Sequence, residues 1–93
     1  MSTSSSIETP AADPQERIGV LREQIDSCDA QIIDLIRRRL TASREVGALR
    51  TASGGTRLSL SRESQVLSRF RAALGEDGTA LALLLLRQGR GRL

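Results

Sequence analysis

From Ile18 to Leu49 the apolar residues recur in alternating steps of three and four: Ile18, Leu21, Ile25, Cys28, Ile32, Leu35, Ala42, Val46 and Leu49. That spacing is the seam of one long helix that packs lengthwise against other helices. Asp13-Pro14-Gln15-Glu16 supplies its start, with Asp13 as N-cap, Pro14 at the first helical position and Glu16 near the positive end of the helix dipole. Ser53-Gly54-Gly55 supplies its stop, so the helix is predicted to run to about Ala52. Gly47 inside it costs about 1 kcal/mol relative to Ala, and is expected to mark a close contact with another element. Thr56 to Leu60 reads as a loop. A second helix is predicted from Ser59 or Ser61 to Leu74, with Val66, Leu67, Phe70 and Leu74 at helical spacing and Gly75 as its stop. A third starts at Asp77 or Thr79 and carries the run Ala80 to Leu86. That run is apolar all round and is expected to be buried on most sides.

No stretch alternates as a strand would, so the expected fold class is all-α, three helices with one long N-terminal helix. A long helix cannot bury its whole seam against two short partners. A second copy of the chain would complete the core, and the expectation is an intertwined helical homodimer. Residues 1–12 are Ser/Thr/Pro-rich and read as a disordered N-terminal arm, leaving 13–93 as the folded domain.

The seam has one flaw. Between Leu35 and Ala42 another apolar residue is due, and Arg39 stands there. Arg50 follows 11 residues later, about 20° around the helix and about 16 Å along it. Two guanidinium groups are thus expected to face the interior, spaced to hold something between them. An unpaired buried charge is expensive, so both call for anionic partners. Arg62-Glu63, after the glycine turn, is expected to fold back beside the Arg50 end of the first helix. Arg22 lies about 25 Å along the helix from Arg39 and cannot serve the same pocket within one chain. In an antiparallel dimer it could reach the Arg39–Arg50 pocket of the other chain. The plain structural reading pairs Arg22 with Asp26, leaves Arg62 on the surface and lets Glu63 neutralise Arg39 or Arg50. Against it, the inward arginines outnumber the obvious inward acid, and the surplus calls for an external anion with more than one carboxylate or phosphate.

Composition narrows the chemistry. All 14 basic residues are Arg, the net charge is +3, and there is no His. Arg suits planar, bidentate grip on carboxylates and phosphates. Without His, the usual general acid–base residue and commonest metal ligand are missing. Cys28 is the lone cysteine and sits on the apolar seam, so it reads as core packing. No metal cluster, base-flanked Ser or glycine loop after a strand is visible. Neither a cofactor nor a metal is expected. What remains is catalysis by positioning and fixed cations, which suits a unimolecular rearrangement of a polyanion. No signal peptide and no apolar run of about 20 residues is visible, and a soluble cytoplasmic protein is expected, without a membrane partner.

Leu21-Arg22-Glu23-Gln24-Ile25-Asp26, Arg37-Arg38-Arg39, Glu45-Val46-Gly47-Ala48-Leu49-Arg50 and Ser61-Arg62-Glu63 resemble, in order and spacing, the motifs of all-helical (AroQ-type) chorismate mutases. The loop Thr51 to Leu58 and the ending Leu84 to Leu93 look like the short, single-domain actinobacterial branch. The resemblance implies conversion of chorismate to prephenate by a Claisen rearrangement, in phenylalanine and tyrosine biosynthesis. It implies that Arg39 binds one substrate carboxylate and that Arg22 of the partner chain holds another. Arg50, where many members have Lys, would donate to the ether oxygen, and Glu63 would accept from the substrate hydroxyl. Arg62 would assist the carboxylate grip, and the backbone at Leu58 and Ser59 would line the pocket. Ser59 stands where some members carry an acid. A third-helix Gln contacts the ether oxygen in those members, and Gln88 is the nearby candidate. In the resembling branch, activity is raised by binding 3-deoxy-D-arabino-heptulosonate 7-phosphate (DAHP) synthase. The same is expected here, with Arg87, Gly89, Arg90, Gly91, Arg92 and Leu93 in the responsive segment.

Two other classes fit parts of the pattern. An Arg-rich helical dimer binding nucleic acid would use the positive charge and the basic tail. Against it, key arginines lie on the apolar seam and aromatic stacking residues are nearly absent, so no nucleic-acid partner is expected. A non-catalytic regulatory subunit would keep the fold without needing Arg50.

Overall fold

In a computed structural model the described residues form three helices: α1 (Pro14–Ala52), α2 (Leu60–Leu74) and α3 (Glu76–Arg90). The structure describes residues 13–56 and 58–91. The expected N-terminal arm, Arg57, Arg92 and Leu93 lie outside them. Each described residue is in a helix or a short connection, and none is in a strand. The fold class is all-α, as the periodicity predicts.

The helix ends follow local chemistry. The Asp13 carbonyl accepts the Arg17 N–H at 2.9 Å, and Pro14 takes the first helical position, where its missing N–H costs nothing. At the other end Gly54 has φ 86° and the Gly55 N–H bonds to the Arg50 carbonyl at 2.8 Å, a glycine-based stop of the expected kind. Ser59 caps α2: its hydroxyl accepts from the Arg62 N–H at 3.4 Å, and its carbonyl accepts from the Glu63 N–H at 3.0 Å. The α3 start differs from expectation. Gly75 alone makes the corner, with φ 77°, and serves as C-cap of α2 and N-cap of α3. With no separate linker, α3 begins at Glu76 rather than at Asp77 or Thr79. Gly78, in the first turn of α3, sits so close to the Phe70 carbonyl that a Cβ there would clash with it. The corner is as tight as it is because both positions are glycine.

Two compact units divide the chain, Met1–Ile33 and Asp34–Leu93. In the first, every described residue is exposed, including Leu21, Ile25 and Ile32 of the seam. In the second, Val66, Ala82 and Leu85 form the buried apolar core, joined by buried Gly47, Gly78 and Gly89. One expectation about α3 is corrected. Its apolar run is not buried on most sides: Ala82 and Leu85 point inward, whereas Leu83 and Leu84 stay about half exposed, because no described neighbour covers that face. The helix continues to Arg90, and Gly91, with φ 66°, ends it. Among the described residues no helix is long and apolar enough to cross a membrane.

Candidate functional site

Within the second unit an open cavity of about 490 Å³ lies between the C-terminal half of α1, the start of α2 and the end of α3. This is within the roughly 300–1,000 Å³ range of small-molecule sites. From α1 it takes Arg39, Ser43, Arg44, Val46, Gly47 and Arg50; from the α2 start, Ser59, Arg62, Glu63 and Val66; from the end of α3, Leu86, Gly89, Arg90 and Gly91. The spacing on α1 explains why those residues meet: 39, 43, 46, 47 and 50 recur every three or four positions on one face. The α2 cap explains Arg62 and Glu63. Ser59 fixes the first turn, and that turn delivers both side chains to the mouth of the cavity.

The charge balance is one-sided. Arg39, Arg44, Arg50, Arg62 and Arg90 contribute five guanidinium groups, and Glu63 the one carboxylate. Glu63 is taken: Arg90 Nη1 donates to its Oε1 at 3.1 Å and its Oε2 at 3.0 Å. The partner is neither Arg39 nor Arg50, the two that the plain sequence reading offered. Among the described residues the other ion pairs are Arg38–Asp34 and Arg71–Glu76, both on the surface. Arg22 and Asp26 form no such pair. Arg39, Arg50 and Arg62 are therefore unpaired among the described residues, converging on a cavity that calls for an anion with more than one negative group.

The placement of each anticipated residue is mixed. Arg39 and Glu63 line the cavity and are half-buried; Arg50 and Arg62 line it and are exposed. Arg50 thus faces open space in the single chain rather than an interior. Ser59 lines the cavity; Leu58, half-buried just before it, was expected there but is not among the lining residues, because the lining of α2 starts at its cap. Arg22 lies on α1 in the first unit, is exposed, and is not among the lining residues. In the tail segment Gly89, Arg90 and Gly91 line the cavity, whereas Arg87 is exposed and points elsewhere. Gln88, the candidate for a third-helix contact, is also exposed and outside the lining. It is two residues from Arg90, about 200° around the helix, and so faces away.

Arg44 and the Arg90–Glu63 pair escape sequence reasoning. Arg90 follows Leu86 by four positions, and Ala82, Leu85 and Gly89 mark the inward face of α3. Helical periodicity continued past the glycine could have found it. Arg44 carries no comparable signal.

Comparison with known proteins agrees with this geometry. The family model for chorismate mutase type II matches residues 21–84. The chain is 50% identical over 88 residues to the intracellular chorismate mutase of Mycobacterium tuberculosis, covering 95% of this chain and 83% of that protein. It is 54% identical over 86 residues to that of Mycolicibacterium smegmatis, covering 92% and 81%. A solved non-covalent complex of DAHP synthase and chorismate mutase from Corynebacterium glutamicum, with a bound transition-state analogue, contains a chain 44% identical to this one. The TM-score is 0.81, over 85% of this chain and 95% of that one.

Proposed function

The chain belongs to the type II chorismate mutase family, and on that premise we propose that it isomerises chorismate to prephenate in the cavity of the second unit. The observation that carries the reading is the meeting of Arg39, Arg50 and Arg62, none of them paired among the described residues, around one half-buried carboxylate. Chorismate has two carboxylates, an ether oxygen and a hydroxyl. Arg39, assisted by Arg62, grips one carboxylate. Arg50 donates to the ether oxygen, where negative charge grows as the C–O bond breaks and the new C–C bond forms in the same step. Glu63 accepts from the hydroxyl, and the backbone at Ser59 closes the wall. No proton transfer or covalent intermediate is needed. The catalytic contribution is a fixed positive field aimed at the developing oxyanion, and an orientation that brings the two reacting carbons together.

The second carboxylate is assigned to Arg22 of a partner chain in a homodimer. Support comes from the uncovered seam: Ile25, Ile32, Leu35 and Leu49 are each more than half exposed, a stripe that soluble monomers rarely leave bare. The protein is read as cytoplasmic, in keeping with relatives named intracellular. The solved relative in complex with DAHP synthase supports a matching partnership here, with Arg87 to Leu93 as the segment that responds.

Loss of chorismate absorbance in the ultraviolet, followed with and without the synthase, tests the activity. The reading predicts turnover that rises with the synthase and collapses in Arg50→Ala. No turnover under either condition would refute it. Deletion of Gly91 to Leu93 should weaken synthase activation; intact binding and activation would remove the tail from the proposal.

A further inference from the structure

We propose that Arg90 is a positioning residue for Glu63, holding the one carboxylate of the cavity away from the arginines that must bind substrate. The inference rests on the reading of Glu63 as the group that accepts the substrate hydroxyl.

The pair joins residues 27 positions apart, and its side chains are 25% and 19% exposed, against 65% or more for both partners of the two other ion pairs. One Arg90 nitrogen straddles both carboxylate oxygens, at 3.0 and 3.1 Å. An ionised carboxylate has about four lone-pair sites. Arg90 occupies two of them and leaves the rest to a hydroxyl.

The surrounding charge shows what Arg90 prevents. Arg39, Arg50 and Arg62 line the same cavity without carboxylate partners. If Arg90 were absent, Glu63 would be drawn to one of these guanidinium groups, because a half-buried carboxylate without a partner is costly. That arginine would then be occupied when substrate arrives, and the hydroxyl acceptor would be displaced. Arg90 therefore protects two parts of the site together.

The last turn of α3 is built to deliver it. A Cβ on Gly89 would stand 2.5 Å from the Ser43 hydroxyl and 3.1 Å from the Ser43 Cβ. A side chain there would have to turn the Ser43 hydroxyl aside and push the two helices slightly apart, so glycine lets α3 sit close to α1 at this point. Gly91 then turns out of the helix directly after Arg90. Gly89 and Arg90 both lie beyond residues 21–84, the stretch that the family model matches.

The test is a double-mutant cycle on chorismate turnover with Arg90→Gln, Glu63→Gln and the double variant, together with thermal unfolding midpoints of all four proteins. Positioning through Glu63 predicts that Arg90→Gln lowers kcat/KM about tenfold to a hundredfold, that Arg90→Lys restores part of it, and that Arg90→Gln adds almost nothing once Glu63 is Gln. Full multiplication of the two losses would overturn the proposal, since Arg90 would then act on substrate or fold independently of Glu63. The unfolding midpoints read the pair without any turnover. Losses in the double variant smaller than the sum support it, and strictly additive losses refute it. An inactive wild-type protein would sink the functional reading, yet the midpoints would still decide whether Arg90 and Glu63 are coupled.

Discussion

Residues 13–33 and residues 34–93 carry similar apolar side chains and differ in what covers them. The first stretch is helix from Pro14 on, has a regular apolar seam, and buries nothing. The second turns back twice on glycine corners and buries Val66, Ala82 and Leu85. The difference lies in neighbours, not in hydrophobicity. A helix with no second element has no place to put its seam, whereas the α2–α3 corner supplies one within the same chain. The same division runs through the chemistry. Arg39, Arg50, Arg62 and Glu63 gather around the cavity of the second unit, and Arg22 stands exposed in the first. The proposed dimer addresses both deficits with one partner: it covers the seam and brings a further arginine to the cavity.

The comparison can be broken most severely at the cavity. Arg50→Ala removes the proposed donor to the developing oxyanion and should lower kcat by about 10²–10³, or roughly 3–4 kcal/mol, while circular dichroism and oligomeric state stay unchanged. The next effect is on the seam. Ile25 is 57% exposed in the single chain, so a lone protein would tolerate Ile25→Glu. If the seam is a dimer interface, the substitution buries an unpaired carboxylate and should cost several kcal/mol, on the order of 3. Sedimentation velocity should then show a monomer or an unfolded chain. The core of the second unit comes third. Val66→Ala, at 1% exposure, should lose about 2 kcal/mol in denaturant titration through the cavity it leaves. Gly89→Ala should cost about 1–2 kcal/mol as Ser43 and the last turn of α3 separate, with a fall in activity because Arg90 moves with that turn. The smallest effect belongs to Arg71→Ala at the α2–α3 corner. The Arg71–Glu76 pair is 3.0 Å long but largely solvent-exposed, and its loss should stay below about 0.5 kcal/mol.

How much of this was readable in advance follows the same division. The helices and their ends were legible because local chemistry dictates them: Asp13-Pro14 at the start of α1, Ser53-Gly54-Gly55 at its end, Ser59 before α2 and Gly75 after it. The interruption of the seam at Arg39 was legible because a heptad-like pattern makes a single charged position conspicuous. The grouping of Arg62 and Glu63 with Arg50 followed from the direction of the glycine turn. What was not legible depended on tertiary neighbours. Arg90 sits between two glycines, where helix propensity is low and no apolar residue beside it marks an inward face. Gly89 is there for contact with Ser43, which no local rule reveals. The α3 leucines read as buried on most sides because the run is apolar all round, yet its exposed face needs a neighbour that the described residues of one chain do not supply. Gln88 was the natural candidate by residue type, and helix phase removed it.

Complementation between two damaged copies tests the proposed shared cavity most directly. Arg22→Ala and Arg50→Ala each damage a different part of it, and each alone should be nearly inactive on chorismate. In a mixed dimer one of the two cavities regains both arginines, because the intact Arg22 comes from one chain and the intact Arg50 from the other. Unfolding the two variants together, refolding them at equal concentration and assaying with the synthase should therefore recover about a quarter of the wild-type rate, half the dimers being mixed with one good cavity each. A mixture no more active than the average of its two components would contradict the shared cavity, and would confine the site to a single chain.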